Sequence, residues 1–163
     1  MKQTDNRQNK LIQTKAQMKP FPKDASHAAE HTAQHDSIPG PQHGGAVFGL
    51  VSNIFLATKI AQAAKHCHLA VHNFDKAEPL LLHAKSKLPR LVILDWDGCE
   101  AESFKFLKEL SQSADLKSVP VIGYLSTSKI NIKEEARRAG CLRVYGKSEF
   151  MRDLDELLAR YAQ

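Results

Sequence analysis

The sequence predicts a three-layer α/β/α fold in which helices cover both faces of a parallel β-sheet. From Ala46 onward, short apolar stretches alternate with amphipathic stretches at helical spacing. One apolar stretch, residues 91–94, consists of four consecutive aliphatic residues, which is typical of a strand buried on both faces. Because parallel strands are joined by crossover connections, the alternation indicates repeated β-α units along the chain.

Five segments have the composition of β-strands, since they are rich in Val, Ile, Leu and aromatic residues between polar or glycine-containing connections. The predicted strands are residues 47–51, 69–74, 90–95, 119–125 and 141–145. For five short β-α units, the natural strand order is 2-1-3-4-5, the flavodoxin-like arrangement.

Helical periodicity follows each predicted strand. The first helix begins after residues 52–53, and the others cover residues 76–88, 102–112, 133–139 and 150–161. The residues predicted to face inward are Phe55, Ile60, Ala61 and Ala64 in the first helix, Phe104, Leu107 and Leu110 in the third, and Leu154, Leu157 and Leu158 in the last.

The connections contain residues that start or end helices. Ser52 or Asn53 can cap the first helix, and Asp75 is the predicted N-cap of the second. Gly140 follows the fourth helix, where a glycine in the left-handed conformation commonly ends a helix.

Residues 1–45 differ from the rest of the chain and are predicted to form a disordered tail. They contain four of the seven prolines and a single aromatic residue, Phe21. Such a segment buries too little apolar surface to offset its ordering entropy. A short helix at residues 25–35 would be marginal by itself. Residues 46–163 are therefore predicted to form one folded domain.

Composition excludes several classes of function. The net charge is +5, but the basic residues are dispersed and accompany no recognition helix, so we expect no nucleic-acid partner. The three cysteines are far apart and form no CxxC pair, as expected for reduced thiols. Because no apolar run could span a bilayer and no apolar leader follows Met1, we expect a cytoplasmic protein without a membrane partner.

Asp95 is the first candidate functional residue. It ends the most apolar predicted strand, and Asp97 follows on the next turn. In open α/β sheets, ligands and chemistry collect at the carboxyl ends of the strands. A structural role is the alternative, in which Asp95 caps the turn or pairs with Lys147.

With this order of elements, the strand ends resemble those of a response-regulator receiver domain of two-component signalling. Residues 91–97 are similar to the third strand of that family, residues 120–126 to the fourth, and residues 139–141 to the small-residue turn before the fifth. The resemblance covers residues 46–163. It implies that Asp95 accepts a phosphoryl group from a histidine kinase and that Lys147 contacts the phosphate.

The resemblance also implies a magnesium site, and here the chain departs from the family. Receivers hold Mg²⁺ with an acidic pair after the first strand, the acceptor Asp and a main-chain carbonyl. In this chain Ser52 and Asn53, both neutral, replace the acidic pair. Because Mg²⁺ prefers anionic oxygen ligands, we expect no bound cofactor. Asp97 together with Asp95 is the candidate for a compensating metal site.

Three further departures affect the phosphate. The Ser or Thr of the family aligns with Leu125, which leaves the neighbouring Ser126 as the candidate phosphate contact. The aromatic switch residue aligns with Val144, and the Lys-Pro step becomes Lys147-Ser148, whose peptide bond should be trans. Because phosphoryl transfer depends on positioning and charge neutralisation, these changes argue against conventional phosphorylation.

Histidines form two groups, neither with the compact pair spacing of a zinc site. The groups are His27, His31 and His35 in the predicted tail, and His66, His68 and His72 with Cys67 near the second strand. We expect no metal site at either.

The sequence therefore predicts a stand-alone, atypical receiver domain that is a protein-interaction module rather than an enzyme. Its partner would be a signalling protein or histidine kinase, with a homodimer through helix 4, strand 5 and helix 5 as another arrangement. The first alternative is a working receiver phosphorylated on Asp95, with Asp97 and Asn53 helping to hold the metal. The second is a small α/β enzyme, but no nucleophile–base pair or Gly-rich phosphate loop supports it.

Overall fold

The computed structural model describes residues 45–163, and these form the predicted α/β/α arrangement. All five strands are parallel and their order is β2-β1-β3-β4-β5, which confirms the predicted topology. The strands are β1 Ala46–Leu50, β2 Ala70–Phe74, β3 Leu91–Asp95, β4 Val121–Leu125 and β5 Arg143–Gly146. Each lies within two residues of its predicted position.

Four helices connect the strands, and two more follow the last strand. They are α1 Ile54–His66, α2 Ala77–Ser86, α3 Glu100–Gln112, α4 Ile130–Arg138, α5 Lys147–Arg152 and α6 Leu154–Ala162, and a 3₁₀ turn, Thr127–Lys129, precedes α4. Within residues 45–163, none of them has both the length and the apolar character needed to cross a bilayer. The predicted tail and its helix at residues 25–35 lie outside the described residues.

Two apolar clusters enclose the sheet. Leu91 and Ile93 belong to the cluster covered by α1, α5 and α6, whereas Val92 and Leu94 belong to the one covered by α2, α3 and α4. All four side chains are fully buried. This explains the unbroken aliphatic run, because both faces of the central strand meet helices.

One predicted inward position is wrong, and a second is confirmed only in part. Phe55 is 60% exposed, because the buried stripe of α1 starts at Leu56 and continues through Ile60 and Ala64. In α3, Phe106 occupies the fully buried position, and Phe104 packs on the cluster while only partly buried. One residue rotates a helical position by about 100°, so a small error in register moves an aromatic ring out of the core.

The helix ends correct two further predictions. Asp75 does not cap α2, which begins at Ala77, and the Ala77 N–H donates instead to Glu102 Oε2 of α3 at 2.7 Å. The predicted final helix is two helices that meet at Asp153. Gly140 has φ +113°, so its predicted role as the left-handed terminator after α4 is confirmed.

Candidate functional site

Asp95 lies at the carboxyl end of β3 and is only 2% exposed. Its Oδ1 accepts hydrogen bonds from the N–H groups of Asp97 at 3.0 Å and Gly98 at 3.2 Å. Its Oδ2 accepts from the Ser52 hydroxyl at 3.0 Å and the Ser52 N–H at 3.3 Å. The carboxylate therefore holds together its own turn and the end of the β1 segment.

Gly98 allows the two turns that Asp95 joins to lie close together. A Cβ at position 98 would collide with the Ser52 hydroxyl and would lie 3.4 Å from Asp95 Oδ2. A glycine lets the β3–α3 turn approach the β1–α1 turn closely. The short distance between the two turns is what brings Ser52 within hydrogen-bonding range of Asp95.

Ser52 and Asn53, at the positions of the family's acidic pair, both bind groups of the chain itself. Ser52 donates to Asp95. Asn53 is the N-cap of α1, and its Oδ1 accepts the Leu56 N–H at 3.1 Å. The predicted N-cap is confirmed for Asn53. Its amide oxygen is therefore already engaged in a hydrogen bond within the chain.

Asp97 lies between the two candidate phosphate contacts, and its side chain is 23% exposed. Its Oδ1 accepts from both the N–H and the hydroxyl of Ser126, each at 2.9 Å. Its Oδ2 is 3.8 Å from Lys147 Nζ. Within residues 45–163, the ion pair of Lys147 is therefore with Asp97, and the pairing with Asp95 that we considered from the sequence is wrong.

Lys129 is the residue of this site that sequence reasoning missed. Its Nζ is 2.9 Å from Glu100 Oε2 and 3.4 Å from the carbonyl oxygens of both Trp96 and Asp97. The hydrogen bond to Glu100 raises the pKa of the Lys129 ammonium, followed by the negative charge of Glu100. A lysine shortly after the fourth strand was the available signal, but only the folded chain brings it to the β3–α3 turn.

Aromatic residues lie beneath the turns. Trp96 is fully buried against Phe104, with ring centroids 4.8 Å apart, and Gly123 leaves the space that its indole fills. Tyr124 is the β4 neighbour of Asp95. Burial raises the pKa of the Tyr124 phenol, and the nearby Asp95 charge raises it further, so Tyr124 is neutral at every physiological pH.

The other positions at which the sequence departs from the receiver pattern lie on β5 and directly after it. Val144 is buried where the family's aromatic switch residue would lie, and the neighbouring Tyr145 is buried as well. The Arg143 guanidinium lies 4.6 Å from the centroid of the Tyr145 ring. The Lys147-Ser148 bond is trans, as predicted.

The donor atoms at the end of β3 do not fit Mg²⁺. Octahedral Mg²⁺ requires hard, preferably anionic oxygens, but Ser52 and Asn53 are neutral and already bonded. Both oxygens of Asp95 accept two hydrogen bonds each. The Lys129 ammonium also lies against the main-chain carbonyl of Asp97. We therefore derive no chemistry through a metal ion.

The second histidine group does not converge. His66 is exposed and 3.7 Å from Asp155, whereas His72 packs against His83 with ring centroids 5.0 Å apart. Within the described part of the chain, no three His, Cys, Asp or Glu side chains are placed to hold a metal ion. The first group, at residues 27–35, lies outside that part.

Comparisons with known proteins give matches by structure only. No protein-family model and no curated protein matches the sequence. A response regulator from Hahella chejuensis matches with a TM-score of 0.64 at 16% identity, over 72% of this chain and 94% of that one. The signal receiver domain of a response regulator from Bacteroides fragilis matches with a TM-score of 0.61 at 19% identity, over 73% of this chain and 97% of its own.

A third structure has a bound metal. It is the receiver domain of a sensor histidine kinase from Pseudomonas aeruginosa, with a magnesium ion coordinated in its active-site cleft. It matches with a TM-score of 0.62 at 15% identity, over 73% of this chain and 98% of that one. Together with the strand order 2-1-3-4-5, these matches lead to one conclusion: residues 45–163 have the receiver fold of response regulators.

Proposed function

We propose that this protein is a phosphorylation-independent interaction module of two-component-type signal transduction, and not an enzyme. The receiver fold supports the signalling context. The observation that carries the rest is the saturated carboxylate of Asp95, whose two oxygens accept four hydrogen bonds from the chain. An oxygen that is buried and bonded in this way is a poor nucleophile toward a phosphoryl donor.

Charge supports the same proposal. Phosphoryl transfer needs cations that neutralise the charge on the transferred group. Each of the two lysines near the site already faces a carboxylate, Lys147 at Asp97 and Lys129 at Glu100. An incoming phosphoryl group would have to displace both contacts and would meet no metal ion in return.

The proposed partner surface is the groove between α4 and β5. This groove of about 230 Å³ is lined by Lys133, Arg137, Leu142, Arg143 and Val144. Leu142 is 63% exposed, an apolar side chain among three cations. The combination suits a signalling protein that presents an acidic segment with an apolar anchor. A second copy of the chain, bound through α4, β5 and α5, is the other arrangement.

Intact-mass measurement after incubation with acetyl phosphate and Mg²⁺ tests the proposal. We expect no phosphoryl adduct on the full chain under conditions that fully modify a conventional receiver domain run in parallel. An adduct that maps to Asp95 would replace the proposal with the working receiver.

The surface is tested separately with Leu142→Asp, compared with Leu82→Asp on the exposed side of α2. We expect only Leu142→Asp to weaken capture of the partner from a lysate of the source organism or, for a homodimer, to lower the mass in solution. Equal partner binding by the two variants would show that the partner does not bind at the groove between α4 and β5.

A further inference from the structure

We propose that this chain supplies the anion of its own receiver site. The carboxylate of Asp97 lies in the place that the resemblance assigns to a phosphoryl group, and it permanently binds Ser126 and Lys147 there. The inference rests on the proposed function, because it explains how such a site keeps a defined conformation without phosphorylation. It assigns Asp97 as the residue that fixes the β4–α4 loop.

The Asp97 carboxylate is bound as a small anion would be, by hydrogen-bond donors at one oxygen and by an ammonium group at the other. One oxygen accepts the backbone N–H and the hydroxyl of Ser126, both at 2.9 Å, and the other faces Lys147 at 3.8 Å. Hydrogen bonds to an ionised acceptor are stronger than those between neutral groups. A single side chain thus connects the β3–α3 turn to the end of β4 and to the start of α5.

Lys129 completes the arrangement as the internal cation. Its Nζ lies 3.4 Å from the carbonyl oxygens of Trp96 and Asp97 and 2.9 Å from Glu100. The four-residue loop from Ser126 to Lys129 is therefore attached to the β3–α3 segment at both ends, through Asp97 at one end and Glu100 at the other. The anion and the cation both come from the chain.

The loop matters because α4 follows it directly. α4 begins at Ile130, immediately after Lys129, and carries Lys133 and Arg137 to the proposed partner groove. A loop held at both ends fixes where the helix starts. In this arrangement the partner surface stays in one state, and Asp97 maintains that state.

Replacement of the internal anion by an external one tests the inference. The full-length Asp97→Ala variant is titrated with acetate and with inorganic phosphate in magnesium-free buffer, and hydrogen exchange of the Ser126 amide is followed by NMR. We expect exchange roughly tenfold faster than in wild type, since one charge-assisted hydrogen bond is lost. Acetate or phosphate should restore at least half of the protection in the variant and should not change the wild type.

Matched variants provide the controls. Asp115→Ala removes an exposed carboxylate without a hydrogen bond or ion pair among the described residues, and it should leave Ser126 exchange unchanged. Unchanged exchange in Asp97→Ala, or an equal response of wild type to the anions, would overturn the inference. A phosphoryl adduct on wild-type Asp95 would refute the proposed function, but it would leave the effect of Asp97→Ala on Ser126 exchange unchanged.

Asp97→Asn decides the matter if Asp97→Ala does not fold. Its amide oxygen can still accept from Ser126, but the charge facing Lys147 is gone. We expect Ser126 protection within about threefold of wild type and clearly faster exchange of the Lys147 ammonium protons. Unchanged Lys147 exchange would contradict the inference.

Discussion

At the scale of single residues, the chemistry of this site depends on which groups bind the carboxylate of Asp95. Asp95 occupies the position that the resemblance assigns to a phosphoacceptor, yet its oxygens serve as caps for the backbone and for Ser52. The residues around Asp95 in the sequence do not distinguish these roles, because the same Asp after the same strand is compatible with both. The choice depends on Ser52, which lies 43 residues away in the chain.

Asp95→Ala is expected to lower the free energy of unfolding by about 2–4 kcal/mol. The substitution leaves the N–H groups of Ser52, Asp97 and Gly98, whose hydrogen bonds to Asp95 are partly buried, without their acceptor, and such groups are costly to leave unbonded. Urea denaturation measures the loss. Asp115→Ala, at an exposed position, should change stability by less than about 0.5 kcal/mol. Equal effects of the two would show that Asp95 has no capping role.

Gly98→Ala is expected to cost about 1–3 kcal/mol, because the added methyl group collides with the Ser52 hydroxyl and forces the two turns apart. Thermal unfolding of the variant measures this cost. Gly146→Ala is the matched control, since a Cβ at position 146 meets no atom within 4 Å. A Gly98→Ala variant as stable as Gly146→Ala would mean that the turns do not need to approach.

At the scale of elements, the strands were predictable and the helix boundaries were less so. The three central strands, β1, β3 and β4, are short apolar runs, and burial by helices on both faces gives such runs a local signature. The start of α2 has no such signature, because its acceptor, Glu102, belongs to α3. Likewise, the contact between Asp97 and Ser126 joins residues 29 positions apart, and no spacing rule relates them.

The edge strand β2 and helix α2 share a cluster of rings that should make stability depend on pH. Burial lowers the pKa of His72 below its ordinary 6.5, and the nearby His83 and Lys87 lower it further. The unfolded chain therefore binds more protons than the folded one between the folded pKa and 6.5. The contribution to stability is complete above about pH 6.5 and is lost as the pH falls through the folded pKa.

His72→Phe tests this prediction by urea denaturation between pH 5 and pH 8. Compared with wild type, the variant should lose less stability on acidification, because the ring stays packed on Phe48 without having to shed a proton. His68→Gln, at an exposed position, should keep the wild-type pH dependence. Parallel pH profiles for wild type and His72→Phe would contradict the assignment.

At the scale of the whole molecule, residues 45–163 contain both apolar clusters and all five strands. We therefore expect removal of residues 1–44 to leave the unfolding midpoint within about 2 °C of that of the full chain, since both of these clusters stay intact. Differential scanning calorimetry of the two proteins measures the difference. A large decrease would show that the N-terminal segment stabilises the domain.

We propose that a receiver fold has in this protein closed its phosphorylation site with groups of its own. The most direct test is the unfolding midpoint of the full chain with and without Mg²⁺, compared with the double variant Ser52→Asp, Asn53→Asp, which restores two carboxylates. We expect no shift of the unfolding midpoint for wild type and a rise for the double variant, because a ligand at a hundred times its Kd stabilises by about 2.7 kcal/mol. A magnesium-dependent rise in wild type would contradict the proposal.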